Sequence, residues 1–141
     1  MRDFEKLEIW QLSCRLAIRV YQVFAQCQDK GFYSQITRAA VSIASNIAEG
    51  SERRTDKDFL NFLHIAKGSA AELRTQLYIA EGIGYITVDI RREFVAMTKT
   101  IGSKIYGLIQ TINNKNVGSV KNLDASPDSS TGGNYSQGFQ P

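Results

Sequence analysis

The first 126 residues contain no proline, the two in the chain being Pro127 and Pro141. Proline removes a backbone donor and clashes with the preceding turn, so its absence leaves long helices unobstructed. The same stretch carries apolar residues at alternating spacings of three and four, the period that seats one helix against another. No segment shows the strict alternation of a half-buried strand. Together these features point to an all-α chain.

Four such stripes can be traced. The first helix is predicted from Phe4 to Gln28, with Leu7, Trp10, Cys14, Ala17, Tyr21 and Phe24 as its seam. A second set, Ile9, Leu16, Val20 and Val23, widens its apolar arc beyond what a monomeric bundle ordinarily covers, so a further surface is expected to cover it. Asp29-Lys30-Gly31 breaks the chain. Phe32, Ile36, Ala39, Ala40, Ile43 and Ile47 form the next stripe, ended by Gly50 at an expected C′ position. Thr55, with Asp58 three residues on, offers the N-cap of a third helix striped by Phe59, Phe62, Ala66, Ala70, Leu73, Leu77 and Ala80. Gly82-Ile83-Gly84 closes it. Thr87 caps a fourth helix carrying Phe94, Met97, Ile101, Ile105, Leu108 and Ile112.

Connections this short force neighbouring helices antiparallel, which makes an up-down-up-down four-helix bundle over residues 1–113 the simplest architecture. From there to residue 141 the sequence turns to Asn, Ser, Gly, Asp and Thr, the composition of a flexible, disordered tail. Gly68, Gly102 and Gly107 fall inside predicted helices, where each costs about 1 kcal/mol relative to alanine. Close packing is the expected reason, with Gly68-Ser69-Ala70-Ala71 as a small-residue surface.

A chain of 141 residues with 43% apolar and 22% charged residues suits one globular domain with a real core. No run approaches the roughly 18 apolar residues of a membrane span, and the first residues lack a signal peptide's apolar stretch, so a cytoplasmic protein is expected. Cys14 and Cys27, placed in one predicted helix, would stand about 20 Å apart along its axis, beyond disulfide reach. They read as packing thiols, with an intermolecular disulfide as the alternative.

Catalytic chemistry finds little to stand on. The only histidine, His64, has no Cys, Asp or Glu at ligand spacing on its face, whereas zinc needs three or four convergent ligands. Gly82-Ile83-Gly84 ends a helix where a dinucleotide-binding loop would follow a strand and open one. On the second helix Arg38, Ser42, Ser45, Asn46 and Glu49 stand near one line, but no base is placed to activate a serine. A non-enzymatic protein without metal or cofactor is the expectation. The polar residues Arg38, Ser42, Asn46, Glu49, Ser69 and Glu72 are instead predicted to form a structural network, with Arg38 paired to Glu72 and Asn46 or Glu49 serving the turn between helices two and three.

The net charge of +3 permits contact with phosphate backbones without demanding it. Basic residues recur at helical intervals: Arg15 and Arg19, Lys67 and Arg74, Arg92 and Lys99, with Arg53, Arg54 and Lys57 around one turn. With Arg38 they form the candidate nucleic-acid-binding set. The plainer reading is that they keep helix exteriors wet; the functional one is that copies of these stripes, joined in an oligomer, present a basic surface to RNA or DNA.

The segments Phe4–Trp10 (FEKLEIW), Ile36–Gly50 (ITRAAVSIASNIAEG), Phe59–Leu73 (FLNFLHIAKGSAAEL) and the ending Gly84-Tyr85-Ile86 resemble the family of small four-helix-bundle proteins encoded in intervening sequences of bacterial 23S ribosomal RNA genes. That resemblance implies a homopentameric ring of bundles without enzymatic activity and in association with RNA. A more distant similarity runs to the accessory variability protein of diversity-generating retroelements, also a pentameric bundle, which implies a reverse transcriptase and nucleic acid as partners. Two departures stand out. The corner Cys27–Tyr33 is shorter than the family's usual Phe-Pro-containing connection, and Ala44 replaces a common proline, which should leave the second helix straighter.

The leading expectation is therefore a homo-oligomeric bundle that binds nucleic acid through its backbone as an accessory or scaffold protein. Its rival is a protein-interaction module with no nucleic-acid role, its apolar arc serving a different chain.

Overall fold

The computed structural model describes residues 3–121. Four helices follow a single 3-10 turn at Phe4–Lys6: α1 (Glu8–Val23), α2 (Lys30–Ser51), α3 (Asp56–Gly82) and α4 (Val88–Lys121). Each helix packs against its neighbours in sequence, and α1 closes on α4, so the order around the bundle is α1, α2, α3, α4. This is the antiparallel up-down-up-down bundle expected from the sequence.

The turns are built by the residues the sequence singled out. The Asp29 carboxylate accepts the Phe32 N–H at 3.1 Å and opens α2. The Thr55 and Thr87 hydroxyls accept from Asp58 N and Ile90 N, each at 3.2 Å. At the end of α3, Gly84 takes φ +82°, and the Tyr85 and Gly84 N–H groups donate to Ala80 and Glu81 carbonyls at 2.8 and 3.0 Å. That is a Schellman closure, and glycine is the residue that enters the left-handed region without a Cβ penalty.

The first helix departs from expectation in extent and in face. It begins at Glu8 because Leu7 is extended (φ −74°, ψ 122°), and it ends at Val23, leaving Cys27 in the corner that follows. Its buried face is Ile9, Ser13, Leu16, Ala17, Val20 and Phe24. Trp10 and Cys14 are only half-buried, and Tyr21 is 44% exposed. What the sequence presents as surplus is thus the core seam, and most of the predicted seam is the surplus. Ser13 is the cause: its hydroxyl donates to the Ile9 carbonyl at 2.6 Å, which satisfies it inside the core and hides a buried position behind a polar residue.

On the other three helices the predicted stripes face inward, joined by Leu63, Val95 and Ile109, except Phe62, which is half-buried at the edge under Arg53. Phe24, Phe59 and Phe94 are the largest side chains fully inside, among Leu16, Ile36, Ile43, Leu73 and Leu77. Burial along α4 stops at Ile112, but the helix continues to Lys121. The expected tail therefore starts, in its first eight residues, as helix; residues 122–141 lie outside the described part.

The glycines exchange roles. Gly50 is not a cap: it lies within α2, buried, and a Cβ there would stand 2.5 Å from Phe62 Cβ. Gly68, Gly102 and Gly107, expected at close contacts, have nothing within 4 Å of an added Cβ. Gly68→Ala should therefore raise stability by about 0.5–1 kcal/mol through helix propensity alone. Urea denaturation checks this, and a loss of stability would mean that a neighbour presses on that position.

Candidate nucleic-acid and assembly surfaces

Ser42, Asn46 and Ser69 form a closed polar cluster between α2 and α3. The Ser42 and Ser69 hydroxyls are 2.9 Å apart, and Asn46 Nδ2 donates to the Ser42 carbonyl at 2.8 Å and its hydroxyl at 2.9 Å. No imidazole or ammonium takes part, so these groups hold α2 to α3 in register. His64 is exposed on α3, and among the described residues no three acidic, His or Cys side chains gather as a metal would require.

The Arg38–Glu72 pair does not form. Both residues are exposed, and Arg38 lines an open hollow of about 420 Å³ with Tyr21 and Val41. Hydrated charges gain little from pairing, and the direct Ser42–Ser69 contact already closes that seam. Glu72 Oε1 instead lies 3.5 Å from Gln76 Nε2, and Glu49 pairs with Arg53 at 2.9 Å; neither Asn46 nor Glu49 bonds the backbone of the α2–α3 turn. At the other end of the bundle Tyr85 donates to Asp29 Oδ2 at 2.7 Å, tying the α1–α2 corner to the α3–α4 corner. That hydrogen bond holds the Asp29 carboxyl below its ordinary range and pushes the Tyr85 phenol above its own.

The ten basic candidates separate by environment. Arg19 pairs with Glu93 at 2.8 Å and lies over the Phe94 ring, bridging α1 and α4. Arg53 pairs with Glu49 and stacks on Phe62. Arg54 and Lys57 are exposed beside it, but Glu52, Asp56 and Asp58 share that turn, so its field is close to neutral. Arg15, Arg38 and Arg92 are exposed at scattered places.

Lys67, Arg74 and Lys99 are different, because α3 and α4 bring them into one groove. Lys67 Nζ stands 5.1 Å from the centre of the Tyr106 ring, and Arg91 reaches α3 by stacking on Tyr78 at 4.9 Å and pairing with Glu81 at 3.2 Å. These crossings join the two helices along one seam, with Lys67, Arg74 and Tyr78 on one line of α3 and Arg91, Lys99 and Tyr106 on the facing side of α4. Among the described residues neither Arg74 nor Lys99 has an ion-pair partner. Beside the Arg91–Glu81 pair the groove therefore carries three cations, Lys67, Arg74 and Lys99, with tyrosines 44% and 53% exposed near its two ends.

Sequence reasoning missed Arg91, Tyr78 and Tyr106 in this role. The signal was present: both tyrosines sit off the apolar stripes of their helices, at positions that must face outward.

On the opposite side, α1 and α2 leave an apolar groove of about 390 Å³, lined by Trp10, Cys14, Ala17, Ile18, Val41, Ala44, Ser45 and Ala48. Ile18 is 58% exposed there. Partial burial pushes the Cys14 thiol above its ordinary pKa, which keeps it protonated and suited to packing. No described helix is long and apolar enough to cross a membrane.

Residues 5–107 match the family described as 23S rRNA-intervening sequence protein. Among solved structures, the chain is similar to a protein of unknown function of the S23 ribosomal protein family from Bacteroides thetaiotaomicron VPI-5482. The two are 26% identical with a TM-score of 0.67, over 72% of this chain and 97% of that one. No curated protein matches.

Proposed function

The chain belongs to the family of 23S rRNA-intervening sequence proteins, and from that premise we propose that it is a non-enzymatic bundle that assembles with copies of itself and associates with RNA. One observation supports this reading above the others: the surface is divided between an uncovered apolar groove at α1/α2 and a basic groove at α3/α4 on the opposite side. A second copy seated on the first leaves the other open. The apolar groove favours a second copy because its lining is apolar but for Ser45, with Ile18 and Val41 exposed, and can match the same face of another chain. The basic groove favours a phosphate backbone, with Lys67, Arg74 and Lys99 as the contacts.

Salt tests the RNA half. Each single-strand phosphate contact contributes about 0.7 to the slope of log affinity against log salt, so three contacts predict roughly twenty-fold weaker binding between about 50 and about 200 mM salt. Fluorescence anisotropy with a labelled, unstructured oligoribonucleotide measures this. Arg74→Ala/Lys99→Ala should lower the slope by about 1.4. Affinity indifferent to salt, or unchanged in that variant, contradicts phosphate contacts in this groove.

A further inference from the structure

We propose that the α3/α4 groove takes single-stranded RNA, with unpaired bases stacked on Tyr78 and Tyr106 and the backbone held between them by Arg74 and Lys99. This rests on the reading of the groove as an RNA site and specifies the form of RNA it accepts. Tyr106 is 53% exposed and Tyr78 44%. Tyr21 and Tyr85 are about as exposed, but among the described residues only Tyr78 and Tyr106 each stand against a cation of the neighbouring helix on this side of the bundle. Each ring carries a cation near its face, Lys67 at 5.1 Å and Arg91 at 4.9 Å from the ring centre. These contacts hold the rings at the α3/α4 seam while about half of each residue stays exposed to solvent.

The spacing suits a strand. Eleven residues of α3 (Lys67 to Tyr78) and fifteen of α4 (Arg91 to Tyr106) span the two ring contacts, about 16 to 22 Å along the axis, a reach of a few nucleotides. Between them Arg74 on α3 and Lys99 on α4 have no ion-pair partner among the described residues, and a phosphate would supply one. Gly102, on the same line of α4, has open space at its Cβ position and adds no side chain to obstruct a strand. Alternating cations and exposed rings are the pattern of single-strand sites, because every unpaired base offers a π-face. A duplex offers none: its bases are stacked on each other, and an A-form helix presents phosphates, 2′-hydroxyls and a shallow minor groove.

The test compares a labelled oligouridylate with an RNA duplex of equal length, at one low salt concentration, against wild type, Tyr78→Leu/Tyr106→Leu and Tyr78→Phe/Tyr106→Phe. Both tyrosines are surface residues, so circular dichroism should be the same for all three. The expected result is that the single strand binds wild type more tightly than the duplex does. The Leu variant should lose about tenfold or more of single-strand affinity while keeping its salt slope, and the Phe variant should recover it. Salt-dependent binding that is equal for duplex and single strand, or unaltered in the Leu variant, overturns the stacking proposal and leaves the broader RNA reading standing. Absence of any salt-dependent RNA binding by wild type removes both.

Discussion

Leu16→Ala should lower stability by about 3–5 kcal/mol, whereas Ile18→Ala should change it by less than about 0.5 kcal/mol, although the two stand only two residues apart on the same helix. Leu16 is fully buried in the bundle core; Ile18 is 58% exposed. Removing the Leu16 side chain withdraws its atoms from an apolar environment and leaves a space that four tethered helices can close only in part. The comparison belongs in a Val41→Glu background, which spoils the apolar groove for association and separates folding from assembly. Urea unfolding followed by circular dichroism gives both values. A larger loss at Ile18 than at Leu16 would mean that α1 seats a different face on the bundle from the one described.

Gly50→Ala should cost about 2 kcal/mol, the opposite sign from the same change at an exposed helical glycine. The new methyl would stand 2.5 Å from Phe62 Cβ and 3.1 Å from Phe59 Cδ2. A Cβ–Cβ clash cannot be relieved by rotating a side chain, because both atoms are fixed to their backbones, so α2 and α3 must separate. Truncating Phe62 to alanine should not rescue the variant, since the offending atom remains. A melting temperature for Gly50→Ala at or above wild type would show that the two helices stand further apart than described.

These two residues also mark where the sequence was legible and where it was not. Helix boundaries set by local chemistry could be read directly: Thr55 and Thr87 cap the helices they were expected to cap, and Gly84 closes α3. The stripes of α2, α3 and α4 were legible because each is one apolar line against a polar background. Helix one carries two overlapping lines, and Ser13, satisfied by the turn beneath it, broke the correct one. Glycine shows only that a Cβ is missing. Whether a neighbour fills the space, as at Gly50, or nothing does, as at Gly68, depends on a second helix.

The same limit applies to the candidate surfaces. Lys67 and Arg74 stand out on their own helix, but their meeting with Arg91, Lys99 and Tyr106 depends on the register between α3 and α4. Arg38 and Glu72 seemed matched by charge, yet both turn to solvent, and the small Ser42–Ser69 contact takes their place between the helices. Charge pattern suggests partners; helix rotation decides them.

Sedimentation velocity of the protein mixed with a labelled single-stranded oligoribonucleotide at low salt tests the central claim most directly. The account predicts that the label sediments with a species several times heavier than the 15.7 kDa chain, because the apolar side is closed by another copy while the basic side holds RNA. Protein that sediments at the mass of one chain while the RNA sediments by itself would contradict it.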